Sequence, residues 1–162
     1  MIDIIKNKKI NYQIIWAAGP KQYDSIKAEL EKSNINIDKI ENIKVVPYIY
    51  NMEEIINAVD VVVARSGAMT VTEIARVGKP SILIPFPLAT ENHQEYNARV
   101  LVNAGAAKII LDKDLNSEVL EKEIDSIVSN KEKQLKMGQN ANKIAIQNVE
   151  EKIYQEIEKI LH

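Results

Sequence analysis

The sequence predicts a doubly wound, Rossmann-like α/β fold: a parallel sheet of about five strands with helices on both faces, followed by a helical C-terminal segment. Three observations carry that expectation. Short β-branched runs alternate with longer amphipathic stretches as far as residue 111, the rhythm of repeated βα units on a parallel sheet. The runs are mostly continuous in apolar residues rather than alternating, as in strands buried on both faces. Residues that start and stop helices fall at the joints between the two kinds of segment.

Along the chain, Gln13–Trp16 is the first expected strand, with Trp16 a core residue. Pro20 opens a helix to Lys32 that carries Tyr23, Ile26 and Leu30 at helical spacing, proline being suited to the first helical turn. Ile43–Val46 is the second strand, and Asn51 caps a helix that runs to Ala58. Val59–Ala64 is the third strand, followed by a helix over Met69–Val77 that Gly78 stops. Ser81–Pro85 is the fourth, and the helix Asn92–Asn103 after it ends near Gly105. Ala107–Leu111 is the fifth. Beyond it lie helices over Ser117–Val128 and Lys131–Leu161, the latter with an apolar stripe through Ile144, Ile146, Val149, Ile153, Ile157 and Ile160 that packs on the sheet or on a partner domain. The expectation is one domain over residues 1–162, with a βα core at 12–111 and C-terminal helices at 112–162.

Composition excludes several function classes. The 162 residues are 46% hydrophobic, enough for a core without metal or disulfide staples. Charged residues make up 27% and nearly cancel to a net charge of -2, so no basic field gathers nucleic acid or anionic lipid, and phosphate recognition has to be local. Cysteine is absent, which removes disulfides, thiolate metal sites and cysteine nucleophiles and fits a cytoplasmic location. The N-terminus, Met1-Ile-Asp-Ile-Ile-Lys-Asn-Lys-Lys, has too short an apolar run for a signal peptide, and no stretch approaches the roughly 20 apolar residues of a membrane span.

The chemistry concentrates where the third strand breaks. In Val61-Val-Val-Ala-Arg-Ser-Gly-Ala-Met-Thr-Val-Thr-Glu73 a buried strand turns at Ser66-Gly67-Ala68 and starts a helix. The N–H groups of Ala68, Met69 and Thr70, with the helix dipole, form an anion site able to hold a diphosphate, and Gly67 lets the backbone approach it. The same segment also reads as an ordinary connection capped by Ser66 or Thr70. Glu73 either closes a capping box begun at Thr70 or, one turn into the helix, accepts hydrogen bonds from ribose hydroxyls. A second stretch, Gly78 to Ala98, ends a strand at Pro85-Phe86-Pro87 and opens a helix with Asn92, His93 and Gln94. That helix start lies at the carboxyl edge, where ligands of open α/β sheets bind, so His93 and Gln94 are placed for sugar hydroxyls, and Asn92 serves as a cap. Asp112-Lys-Asp114 has the wording of a metal-binding Asp-x-Asp, but it follows the last strand, and helix capping by Asp114 is the better reading. His162 is read as an exposed terminus.

The spaced set Ser66-Gly67, Glu73, Gly78, Pro80, Pro85, Gln94, Asn97 and Ala98 resembles the nucleotide-sugar signature of GT-B glycosyltransferases. The wording Ser-Gly-Ala-Met-Thr-Val-Thr-Glu is similar to the MurG-type UDP-N-acetylglucosamine transferases of peptidoglycan precursor synthesis. Val46-Pro-Tyr-Ile-Tyr-Asn-Met52 resembles that family's uracil loop, and the likeness covers roughly residues 12 to 111. The resemblance implies that the Ile49 main chain reads the uracil edge while Tyr48 and Met52 shape the pocket. It implies substrate contacts from Ser66 and Gly67, a diphosphate on Ala68, Met69 and Thr70, a ribose on Glu73, N-acetylglucosamine on His93 and Gln94, and a phosphate contact for Arg65.

The resemblance also implies what is missing. Family members carry the acceptor site and the catalytic base in a preceding domain with no counterpart in these residues, and the donor domain begins with a further strand and a glycine-rich loop. The expected function is therefore the UDP-N-acetylglucosamine-binding half of an inverting hexosyltransferase, inactive alone, with no catalytic residue, cofactor or metal of its own. Its partners would be the UDP-sugar, the missing acceptor domain and, through that domain, a lipid-linked acceptor at the cytoplasmic face of the membrane. Two rivals are a non-catalytic Rossmann-like nucleotide module, and another GT-B enzyme such as a lipid glucosyltransferase or a UDP-N-acetylglucosamine 2-epimerase. Against a dinucleotide cofactor stands the lack of Gly-x-Gly-x-x-Gly after any strand.

Overall fold

A computed structural model describes residues 1–6, 10–146 and 148–161, without the side chain of Glu150; His162 lies outside the described residues. The elements are α1 (Ile2–Lys6), β1 (Ile14–Ala17), α2 (Pro20–Lys32), β2 (Ile43–Val46), α3 (Met52–Ala58), β3 (Val62–Ala64), α4 (Ala68–Val77), β4 (Ser81–Leu83), α5 (His93–Asn103), β5 (Ala107–Ile109), α6 (Ser117–Val128), α7 (Lys131–Ile144) and α8 (Val149–Leu161). Short 3-10 turns occupy Ile37–Lys39, Thr90–Asn92 and Asp112–Asp114. All strand pairs are parallel, and the α/β class is as the sequence predicts.

β4 shows why its run is apolar without alternation. Ile82 and Ile84 face a cluster with Leu120, Ile124 and Ile127 of α6, Met137 of α7 and Ile4 of α1. Leu83 between them faces the other way, onto Ile74 and Ala75 of α4, Ala98 and Leu101 of α5 and Ala141 of α7. A strand with helices on both faces has no polar side to offer. Gly78 ends α4 in the left-handed region at φ 70, where a side chain is strained.

The sheet is not continuous. β1 and β2 form one pair, and β3, β4 and β5 form a second sheet in the order β3-β4-β5. β1 does not pair with β3. α1 bridges the two halves instead: Ile4 is buried among the residues of β4 and α6, and Ile5 among those of β1, β2 and α2. Trp16 is only partly buried, packed against that last cluster.

The single long C-terminal helix expected from periodicity is two helices. α7 ends at an extended Ala145 (φ -65, ψ 134), and Asn148 takes a left-handed conformation, so the helical path is broken before α8. The apolar stripe consequently does not pack on the sheet: Ile153, Ile157 and Ile160 of α8 all stand exposed. No described helix is long and apolar enough to cross a membrane.

Candidate functional site

The site is built at the carboxyl edge of the strands, where each following helix begins. Each of the five described strands is followed by a helix, and the first four of these have no side-chain cap: α2 starts at Gly19 and α3 at Asn51, α4 at Gly67 and α5 at Asn92. α6 and α7 differ, since Asn116 accepts from the Val119 N–H and Asn130 from the Lys133 N–H. An uncapped helix start leaves several N–H donors and the positive end of the dipole facing outward, ready for an anion.

At α4 this start is open. Gly67 is the cap residue with extended backbone, and a Cβ placed on it would meet nothing within 4 Å. Ala68, Met69 and Thr70 are the first three helical residues. Both capping interpretations of this segment are overturned: neither Ser66 nor Thr70 is the cap, and Thr70 already lies inside the helix, so no capping box can close between it and Glu73. Glu73 is exposed on the second turn.

Ser66 is engaged within the chain. Its side chain is fully buried, and its hydroxyl donates to the Gln94 main-chain carbonyl at 2.8 Å. Asn97 returns the link, its Nδ2 donating to the Ser66 carbonyl at 3.1 Å. The α4 start and the α5 start are thus tied together.

At α5, the Gln94 side chain is half-committed. Its Oε1 accepts from the Phe86 N–H at 3.0 Å, so its Nε2 is the end left to donate toward a ligand. His93 lies 2.7 Å through Nδ1 from the Thr90 carbonyl; a carbonyl only accepts, so Nδ1 carries the hydrogen and the neutral ring offers Nε2 as an acceptor. Asn92 stands at the cap position with φ 55, but it caps nothing: its Nδ2 donates to Glu95 at 2.9 Å. Hydrogen bonds from Asn92 and Arg99 hold the Glu95 carboxyl below its ordinary pKa.

Arg65, the expected phosphate contact, turns toward the ends of β4 and β5. Its Nη1 donates to Asp112 at 2.7 Å, to the Pro85 carbonyl at 3.0 Å and to the Ile84 carbonyl at 3.2 Å, and its guanidinium lies 5.6 Å from the centre of the Phe86 ring. Asp114 is not a cap; Asn116 holds that place on α6. Among the described residues no group of three or more His, Asp or Glu is arranged to hold a metal ion.

At the end of β2, Tyr48 is 55% exposed and Met52, the first residue of α3, 40% exposed, with Ile49 half-buried between them. Asn51 does not cap α3, because its Nδ2 donates to Glu54 at 2.7 Å. Tyr50, which the motif reading passed over, is 92% exposed and meets Tyr48 edge to face with centroids 5.0 Å apart. Phe86 and Asp112 were also missed as parts of the edge. Their roles depend on backbone and guanidinium contacts over 8 and 47 residues, which no local pattern encodes.

The chain matches known proteins over most of its length. The glycosyltransferase family 28 C-terminal domain matches residues 2–156. A UDP-N-acetylglucosamine--N-acetylmuramyl-(pentapeptide) pyrophosphoryl-undecaprenol N-acetylglucosamine transferase from Thermoanaerobacter sp. strain X514 is 42% identical over 160 residues, 99% of this chain and 43% of the relative. The transferase of that name from Acetivibrio thermocellus is 40% identical, over 98% of this chain and 42% of its own length. The chain therefore spans less than half the length of these curated relatives. The crystal structure of Acinetobacter baumannii MurG superposes with a TM-score of 0.81 at 28% identity, over 98% of this chain and 44% of that one. The glycosyltransferase VinC, solved with dTDP, shares the fold at a TM-score of 0.67 and 17% identity, over 86% of this chain and 32% of its own. The family match takes in the α4 turn and the α5 start alike, and by it the chain belongs to the glycosyltransferase family 28 C-terminal domains.

Proposed function

We propose that this chain is the donor-binding half of an inverting hexosyltransferase, taking UDP-N-acetylglucosamine for transfer to a lipid-linked peptidoglycan precursor. The observation that carries the reading is the start of α4, an uncapped helix N-terminus with open space over Gly67. A diphosphate there meets the N–H groups of Ala68, Met69 and Thr70. Glu73, one turn further on, takes the ribose hydroxyls. Tyr48, Ile49 and Met52 receive the uracil, and Gln94 Nε2 with His93 Nε2 the sugar. The relatives from Thermoanaerobacter and Acetivibrio carry the name of UDP-N-acetylglucosamine transferases, which supports this choice of donor.

The catalytic contribution is electrostatic. As the glycosidic bond breaks, negative charge grows on the departing diphosphate, and fixed N–H dipoles at the α4 start stabilise it without having to reorganise. The base that activates the acceptor hydroxyl belongs to a partner domain. These 162 residues alone transfer no sugar, and the whole protein works at the cytoplasmic face of the membrane, where a lipid-linked acceptor is found.

Calorimetric titration with UDP, UDP-N-acetylglucosamine and NADH tests the reading. Binding of both uridine nucleotides without NADH supports it. NADH binding, or no uridine binding at millimolar ligand, overturns it in favour of a different nucleotide module.

A further inference from the structure

We propose that Asp112 is a positioning residue: through Arg65 it holds the end of β4, and with it the Gln94 amide, in the orientation that meets the sugar. The inference rests on the donor reading above for its ligand, but its mechanism concerns this chain's own contacts.

A glutamine amide can present either its oxygen or its NH2 outward, at almost equal steric cost. In this chain the Phe86 N–H makes the choice, because only Oε1 can accept from it, at 3.0 Å. The position of Phe86 is itself not fixed by regular structure. β4 ends at Leu83, and Pro85 has no N–H with which to anchor the segment. Arg65 supplies the anchor. Its Nη1 donates to the carbonyls of Ile84 and Pro85, and its guanidinium lies beside the Phe86 ring.

Two hydrogens on Nη1 serve three oxygens, so the strongest acceptor sets the direction of the group. That acceptor is the Asp112 carboxylate, the shortest contact at 2.7 Å and the only charged one. One cation thereby joins the ends of β3, β4 and β5. Without Asp112 the guanidinium has no charged acceptor among these contacts to set its direction, and the Ile84 and Pro85 carbonyls lose a fixed donor, although the Ile84 N–H still reaches the Ala64 carbonyl at 2.9 Å. Arg65 and Asp112 are each more than a third exposed, so the pair's worth as a surface salt bridge is small; its consequence is the geometry it imposes.

The test compares wild type with Asp112→Asn, Arg65→Gln and the double variant, each titrated with UDP and UDP-N-acetylglucosamine. Asp112→Asn should move the ratio of the two dissociation constants at least fivefold against the sugar nucleotide, with UDP affinity within about twofold of wild type. Arg65→Gln should shift the ratio in the same direction, and adding Asp112→Asn to it should change the ratio no further, since Asp112 acts through Arg65. An equal loss for both nucleotides indicates a general loosening of the fold and overturns the proposal, as does a ratio that stays put. The NH2 resonances of the Gln94 side chain, assigned with Gln94→Glu and followed in the ligand-free protein, separate this inference from the donor reading. They should shift in Asp112→Asn even if wild type bound neither nucleotide, and unchanged resonances sink the proposal whatever the nucleotide data say.

Discussion

The hydroxyl of Ser66 donates to the main-chain carbonyl of Gln94 at 2.8 Å, across 28 residues of sequence. With the return bond from Asn97 to the Ser66 carbonyl, it welds the turn proposed to hold the diphosphate to the helix start proposed to hold the sugar. Ser66→Ala deletes a buried donor and removes one of the contacts of the Gln94 carbonyl. Stability should fall by about 1–3 kcal/mol, measured by urea denaturation. A loss below a few tenths of a kcal/mol would show that the link contributes little.

Glu73 has lost its capping role, because Thr70 is inside the helix. Glu73→Gln should therefore leave the melting temperature unchanged while UDP binding weakens by roughly 1–3 kcal/mol, as charge-assisted bonds to ribose hydroxyls become neutral ones. A 2'-deoxyribose UDP analogue should narrow the gap between the two proteins. Equal UDP affinity for both would remove Glu73 from the donor site.

Helices α4 and α7 approach closely through glycine. A Cβ on Gly138 would stand 2.5 Å from the Gly78 carbonyl oxygen, a backbone atom that cannot swing aside. Gly138→Ala should destabilise by about 1–3 kcal/mol despite alanine's better helix propensity. Thermal melting decides the sign, and an unchanged or raised melting temperature refutes the close packing.

Ser81 is fully buried on β4, with no hydrogen-bond partner for its hydroxyl among the described residues. Replacing a desolvated, unpaired group by a methyl recovers part of its burial cost. Ser81→Ala should be neutral or stabilising by up to about 1 kcal/mol in chemical denaturation, whereas a loss of that size would reveal a bond to the hydroxyl.

Tyr12 gives a pH dependence with a definite sign. Burial, then the nearby carboxylates of Asp125 and Glu121, raise its phenol from 10.0 to about 12. Between those values the unfolded chain has released a proton that the folded chain retains, so stability contributed below pH 10 is lost as the pH climbs toward 12. Melting curves over that interval should fall more steeply for wild type than for Tyr12→Phe. Parallel curves would mean that the phenol titrates normally.

The sequence by itself determined most of the elements, the class and the family, but not α1 or the break between α7 and α8. Strand and helix positions are local properties: the β-branched runs appear as β1 to β5, and α2 and α6 match their expected bounds, because periodicity, proline and glycine act within a few residues. The likeness spanning Ser66 to Ala98 was visible for the same reason. Tertiary structure decided what depends on distant partners. Arg65 and Ser66 read as ligand contacts from their place in a motif, yet their polar groups are engaged by Asp112, Pro85 and Gln94, residues 20 to 47 positions away. The division of the strands into two sheets, and the exposure of the α8 stripe, likewise follow from which surfaces meet. A hydrogen bond or a packed face requires two groups in one place, and a one-dimensional pattern specifies only one of them.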